Sequence, residues 1–268
     1  MEVLVTGGTG RIGTPVVQQL QARGTKVRVL TRGRRRREAL DGVRYLTGDL
    51  AKDEGVRDAV DGVDVVVHCA ASIRWGANRS QLENLIRAAK DVGVRHLVSV
   101  SVVGADRVPT AGRLDRVLFG YFRLMVELEK TVSDSGLAWS IQRATQFYEA
   151  ILLIAEQIAK LPVLPVPTGL RFQPVDTRDV AIQLVELALG EPAGLAPDVA
   201  GPRTYTMEEL IRSYLRAAHK RRPILPIAIP GKAARAVRDG AILAPGGAMG
   251  QRTWEAFLAE RGLRASAA

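Results

Sequence analysis

Cysteine is almost missing from this sequence: Cys69 stands alone among 268 residues, so no internal disulfide framework can form. Histidine is nearly as scarce. His68, His96 and His219 are scattered along the chain, and no metal-ligand spacing can be assembled from them; no metal is expected. Aromatic residues make up only 5%, too few for a platform on which nucleic-acid bases stack. No apolar run approaches the roughly 18 to 20 residues that span a bilayer; AILLIA from Ala150 is among the longest. The opening EVLVT enters a strand pattern with no signal-peptide layout. The expectation is a cytoplasmic protein with no membrane partner.

Charge is plentiful but lopsided. Lysine and arginine number 38 against 28 acidic residues, a net charge of +10. Such a balance raises nucleic acid as a partner. The arginines, however, are spread over the whole chain and do not gather with aromatics on one face, which argues against that partner. One stretch stands out: TRGRRRRE from Thr31, with Arg32, Arg34, Arg35, Arg36 and Arg37 within six residues.

Two periodicities alternate. Short runs rich in β-branched residues (VLVTG, KVRVLT, VRYLTGD, VDVVVHCA, RHLVSVS, LAWSIQRA) are separated by segments with apolar residues three and four apart, such as Ile12, Val16, Leu20 and then Leu82, Leu85, Ile86, Ala89. Strand and helix in repeated alternation predict an α/β fold, a doubly wound parallel sheet of Rossmann type. Gly24 and Gly93 fall where helices need a left-handed closing residue. After about Phe147 the rhythm breaks: an apolar helix (Phe147, Ile151, Ile154, Ile158), then LPVLPVP, then RFQPVDTRDVA leading into another helix. Thr206 and Glu209 stand at capping-box spacing before a late helix. With 47% hydrophobic residues and no clean boundary, residues 1–268 read as one domain. Segments 147–175 and 201–268 are expected to form a small C-terminal lid on the substrate side. Oligomeric state is left open.

The strongest chemical signal is at the front. VLVTGGTGRIG places Gly7, Gly10 and Gly13 after the first strand and at the opening of the first helix, the context a dinucleotide site requires. Gly7 permits the tight turn, Gly10 lets backbone approach the pyrophosphate, Gly13 allows close helix packing, and the helix N-terminus supplies free amides. Thr6, Thr9, Arg11 and Ile12 complete the cofactor-facing loop. At the end of the second strand an acidic residue would mark NAD, whereas arginine accommodates the 2′-phosphate of NADP. Thr31 is followed by Arg32, with no carboxylate until Glu38. The expected cofactor is therefore NADP(H), held by Arg32, with Arg11 and Arg34 as further phosphate ligands.

TGGTGRIG, GDL at Gly48 to Leu50, HCAAS at His68 to Ser72, SVSVVGAD at Ser99 to Asp106, QRATQF at Gln142 to Phe147 and QPVDTRDVA at Gln173 to Ala181 together resemble the atypical short-chain dehydrogenase/reductases of the NmrA-like, NAD(P)-binding group. The resemblance covers nearly the whole chain. It implies that Asp49 and Leu50 sit at the adenine, Cys69, Ala70 and Ala71 along the ribose side, Ser99 and Ser101 near the nicotinamide, and the loop Ala144 to Phe147 beside the nicotinamide amide.

The pattern departs where chemistry is usually done. Orthodox members carry Y-x-x-x-K on a helix, the tyrosine protonating the carbonyl oxygen and the lysine lowering its pKa. This chain has YFRLM, with Tyr121 present and Met125 at the lysine position. Lys130 lies nine residues on, about half a turn around the helix from Tyr121. Tyr121 and Ser101 are the candidate catalytic groups. Trp75, Met125, Tyr148 and Phe172 are expected to line an apolar, aromatic-rimmed substrate pocket, suited to an aromatic or polyketide-like ligand. The reading is an NADPH-dependent reductase of an apolar carbonyl, enone or quinone that has dispensed with the Tyr/Lys pair. The alternative is a non-catalytic NADP(H)-binding sensor. Nucleotide-sugar epimerase or dehydratase chemistry is disfavoured, because it generally needs that pair.

Overall fold

A computed structural model describes residues 1–33, 42–70 and 75–263. In chain order the elements are β1 (Glu2–Thr6), α1 (Gly13–Ala22), β2 (Lys26–Thr31), β3 (Val43–Thr47), α2 (Val56–Val60), β4 (Val65–His68), α3 (Trp75–Asp91) and β5 (His96–Val102). The second half adds α4 (Arg113–Ser133), β6 (Trp139–Ala144), α5 (Tyr148–Ile158), β7 (Leu164–Pro167), β8 (Arg171–Phe172), α6 (Thr177–Leu189), β9 (Gly194–Leu195) and β10 (Val199–Ala200). It closes with β11 (Tyr205–Thr206), α7 (Met207–Ala217), β12 (Ile224–Ile227), α8 (Lys232–Arg238), β13 (Ala248–Met249) and α9 (Trp254–Glu260).

The chain divides into two compact units: Met1–Ser101 with Leu124–Arg143 and Val180–Ala196, and Val102–Arg123 with Ala144–Asp179 and Pro197–Ala268. The first carries the parallel sheet in the order β3-β2-β1-β4-β5-β6. All six strands expected from the sequence are present, and the doubly wound order follows from right-handed strand–helix–strand crossovers. Register is tight across the centre: Val5 lies opposite Val29 and Val67, and Thr6 opposite His68. Because β1 and β4 are buried on both faces, they read as continuous apolar runs rather than as alternating ones. One core joins Leu4, Leu30, Val66, Leu97, Leu82, Leu85 and Val132. Burying one such side chain contributes about 1.5–3 kcal/mol.

The second unit has its own core, in which Tyr148, Leu164, Tyr205, Leu210, Trp254 and Phe257 are enclosed. Trp254 and Phe257 stack with centroids 5.4 Å apart, and Tyr148 tilts against both. Residues 147–175 and 201–263 fall in this unit. The stripe expected along α5 is shifted: Tyr148, Ile151, Leu152 and Ala155 are buried, while Ile154 is exposed. The cause is the Tyr148 ring, which enters the aromatic core and sets the helix's rotation. Thr206 caps α7 in a reciprocal box with Glu209. The VDTRD segment is structural: the Asp176 carboxylate grips Arg178 through two side-chain bonds, and Thr177 donates to Glu149.

Candidate cofactor and catalytic site

In the first unit the glycine loop has the shape its residues imply. Gly7 adopts φ +69°, and a Cβ there would stand 2.7 Å from the Ala70 backbone nitrogen. A Cβ on Gly13 would stand 2.2 Å from the Gly7 carbonyl oxygen, so α1 presses on the loop more closely than any other residue permits. The turn is closed by the Gly10 amide donating to Gly7 at 2.8 Å. α1 begins from Ile12 with no side-chain cap and no acidic residue in its first turn. Its positive dipole end is therefore left for an anion. Thr6 ends β1 below this loop, and Thr9 and Arg11 are on it, with Arg11 exposed. These residues fit the pyrophosphate of a dinucleotide.

Arg32 is exposed directly after β2 and makes no hydrogen bond or ion pair among the described residues. Arg34 lies outside them, as do Ala71 and Arg35 to Arg37. Asp49 uses one carboxylate oxygen for the Ala51 amide at 2.9 Å, and Leu50, buried, accepts from Asn84 at 2.8 Å. Both belong to the short connection between β3 and α2.

A polar row crosses three neighbouring strands, with Thr6 opposite His68 at the ends of β1 and β4 and His68 opposite Ser99 in the middle of β5. The Thr6 hydroxyl and His68 Nδ1 are 2.8 Å apart. Burial drives the His68 pKa down to about 4, so the imidazole is neutral at physiological pH. Burial likewise pushes the Cys69 thiol up to about 12, leaving it without thiolate reactivity. Ser101, two residues on from Ser99, donates its hydroxyl proton to Glu129 on α4. Arg143 on β6 holds the same carboxylate with both arms, Nε to Oε1 at 2.8 Å and Nη2 to Oε2 at 2.7 Å. Sequence reasoning missed Glu129. The available signal was a carboxylate eight residues after Tyr121 and four after Met125, on the same helical face as both.

Met125 belongs to the first unit and is buried, whereas Tyr121 belongs to the second and is 43% exposed. Desolvation raises the Tyr121 pKa above its ordinary value of 10. Met125 supplies no cation at the lysine position to bring it back down. Tyr121 shares its helical face with Leu114, Val117 and Leu118, all exposed.

Tyr148, expected in the substrate pocket, is fully buried and donates its hydroxyl to the Arg252 carbonyl at 2.7 Å. It is a core residue, and its pocket role is withdrawn. Phe172 pairs with Tyr205 across β8 and β11 and packs on the second unit's hydrophobic clusters. Ala144 is buried at the end of β6, and Phe147 precedes the first turn of α5. Trp75 opens α3. No group of His, Cys, Asp and Glu able to hold a metal occurs among the described residues, and no helix among them is long and apolar enough to cross a membrane.

A strand, glycine loop and helix with this cradle define a dinucleotide-binding Rossmann protein. The comparisons agree. Residues 7–187 match a family described as NAD(P)H-binding. An NAD(P)H azoreductase from Xenophilus azovorans is 30% identical over 246 residues, covering 89% of this chain and 80% of that protein. A photosystem II assembly factor, Ycf39, from Trieres chinensis is 25% identical over 229 residues, covering 79% of this chain and 67% of its own. Among solved structures, an Escherichia coli NADPH-dependent quinone oxidoreductase complexed with NADPH superposes with a TM-score of 0.78 at 19% identity, covering 97% of this chain and 99% of that one. A nucleoside-diphosphate-sugar epimerase from Staphylococcus aureus gives 0.76 at 19% identity, covering 96% and 99%; at this identity both show the fold alone. The chain belongs to the NAD(P)H-binding family, within the atypical, NmrA-like short-chain dehydrogenase/reductases.

Proposed function

We infer that the protein is an NADPH-dependent reductase of an apolar carbonyl or quinone, working without the Tyr/Lys pair. The observation that carries this reading is the α4 face on which Tyr121 lies among Leu114, Val117 and Leu118. A soluble protein seldom leaves such a contiguous apolar stripe uncovered unless something apolar meets it. The likeness to an NAD(P)H azoreductase supports reductase chemistry with a nicotinamide cofactor.

NADPH, when bound, supplies the hydride. The chain's own part is to hold the pyrophosphate at the Gly7–Gly13 loop, to select the 2′-phosphate through Arg32, and to present an apolar surface to the acceptor. Quinones accept hydride with little demand for a general acid, which suits a tyrosine whose pKa lies above 10. The test is incubation of the protein with NADPH and a panel of quinones, enones and ketones, read by loss of nicotinamide absorbance. Turnover restricted to hydrophilic sugars or acids would overturn the substrate class.

A second reading, an NADP(H)-binding regulator, is favoured by Met125 in the place of lysine and by likeness to an assembly factor. Tight NADPH binding with no oxidation by any acceptor in the panel would put it ahead.

A further inference from the structure

We propose that the second unit carries a surface that docks on an anionic lipid bilayer, built where the ends of α5 and α7 run on into β7 and β12. From Leu210 to Arg238 the sequence holds eight lysines and arginines and no aspartate or glutamate, a charge run that the cofactor loop, in the other unit, does not account for. Lys220, Arg221 and Arg222 stand near its middle. The α7 helix ends just before them: His219 takes φ +53°, the left-handed turn that closes a helix, and the Lys220 amide returns to the Leu215 carbonyl at 2.9 Å. Arg216 already stands in the last turn of α7, where a cation meets the helix's negative end. The three cations past the turn are exposed and make no ion pair among the described residues.

The strands that follow bring apolar side chains to the same place. β12 pairs with β7 in parallel, Leu225 opposite Pro165, and the Leu164 amide donates to the Pro223 carbonyl at 2.9 Å. The residues just ahead of each strand are therefore neighbours, Leu161 and Val163 on one side, Arg221 and Arg222 on the other. Side chains alternate across a strand: Leu164 and Val166 turn inward and are buried, while Val163 and, on the partner strand, Leu225 turn outward. Leu161, Val163 and Leu225 are 43%, 44% and 53% exposed. Lys160, also exposed, precedes Leu161. Glu156, four residues earlier, is an exposed carboxylate on this side, and the cations outnumber it.

Branched aliphatic side chains held in water beside unpaired cations suit a bilayer surface. The aliphatic groups enter the boundary between headgroups and acyl chains, and the cations meet the anionic headgroups. Leucine and valine gain nothing from a nucleic-acid backbone, and neither segment, 160–168 or 219–231, contains a Phe, Trp or Tyr to stack on bases. A second copy of the chain would set like charges face to face. The expectation of no membrane partner follows from the lack of a spanning segment, and resting on the surface needs none.

The test is co-sedimentation of the full-length protein with vesicles of phosphatidylcholine alone and of equal parts phosphatidylcholine and phosphatidylserine. Binding to the mixed vesicles and not to the neutral ones is expected, weakening as salt is raised. Changing Lys220→Gln, Arg221→Gln and Arg222→Gln together is expected to weaken it on the order of 100-fold, about fivefold for each cation. Val163→Ser with Leu225→Ser is expected to weaken it about tenfold at unchanged charge. Lys26→Gln, Lys52→Gln and Arg57→Gln, which remove the same charge from the exposed surface of the first unit, are expected to stay within about threefold of wild type. Should either set of patch variants fail to fold, the other decides, and slowed amide exchange at residues 160–163 and 219–225 of wild type on adding mixed vesicles decides without any variant. No binding to mixed vesicles, an equal loss in the first-unit control, or serine variants that bind as wild type does would each overturn the inference. So would tighter retention by single-stranded DNA or by poly-glutamate than by mixed vesicles, which would assign the patch to a nucleic acid or to an acidic protein.

Discussion

Ser101 gives its only hydroxyl proton to Glu129, and Arg143 clamps the same carboxylate with two parallel bonds. A serine tied in this way is a poor proton donor to a substrate. Ser101→Ala is expected to leave turnover within about tenfold of wild type while lowering stability by about 1.5–3 kcal/mol, the range for a hydrogen bond to a charged group. Glu129→Gln, which removes the carboxylate charge facing the Arg143 guanidinium, is expected to lower stability further than Ser101→Ala does. Denaturant unfolding alongside steady-state kinetics checks both, and a 100-fold loss of turnover in a fully stable Ser101→Ala protein would restore the serine as a catalytic group.

Cofactor choice turns on Arg32. NADPH is expected to bind at least about tenfold tighter than NADH, and Arg32→Asp to erase that margin, about 1.4 kcal/mol or more. Titration of nicotinamide fluorescence gives both affinities. Equal affinities in wild type would remove Arg32 from the phosphate site.

Tyr121→Phe is expected to cost less than the roughly 100-fold minimum associated with losing a general acid, because desolvation raises its pKa above its ordinary value and Met125 offers no charge to lower it. A larger loss, with NADPH affinity and circular dichroism unchanged, would identify Tyr121 as the acid and require another group in the lysine's place.

Stability should also fall in mild acid on account of His68. The unfolded imidazole titrates near 6.5, the folded one near 4, so on acidification the unfolded chain takes up the proton first. His68's contribution is complete above pH 6.5 and is lost progressively as pH falls toward 4, to a total of about 3 kcal/mol. Comparison of unfolding free energies of wild type and His68→Asn across pH 4 to 7 isolates it. Parallel curves over that window would show that His68 is not the group responsible.

Much of this protein is written locally. The six strands, the helices from Val16 to Leu20 and from Leu82 to Ala89, the Thr206 capping box and the Gly7–Gly13 loop all follow from residue spacing within one element or one turn, because backbone sterics, hydrophobic periodicity and the missing Cβ act over a few residues. Tertiary structure decided what depends on neighbours far apart in sequence. The Tyr148 hydroxyl reaches Arg252, which turned an apparent pocket residue into core. The Glu129 carboxylate gathers Ser101 and Arg143 from two different strands. The buried Gln173 side chain joins the Gly201 carbonyl to the Ala244 amide. None of these pairings has a local period, since each is fixed by which side chains the packed sheet and helices bring within hydrogen-bond reach.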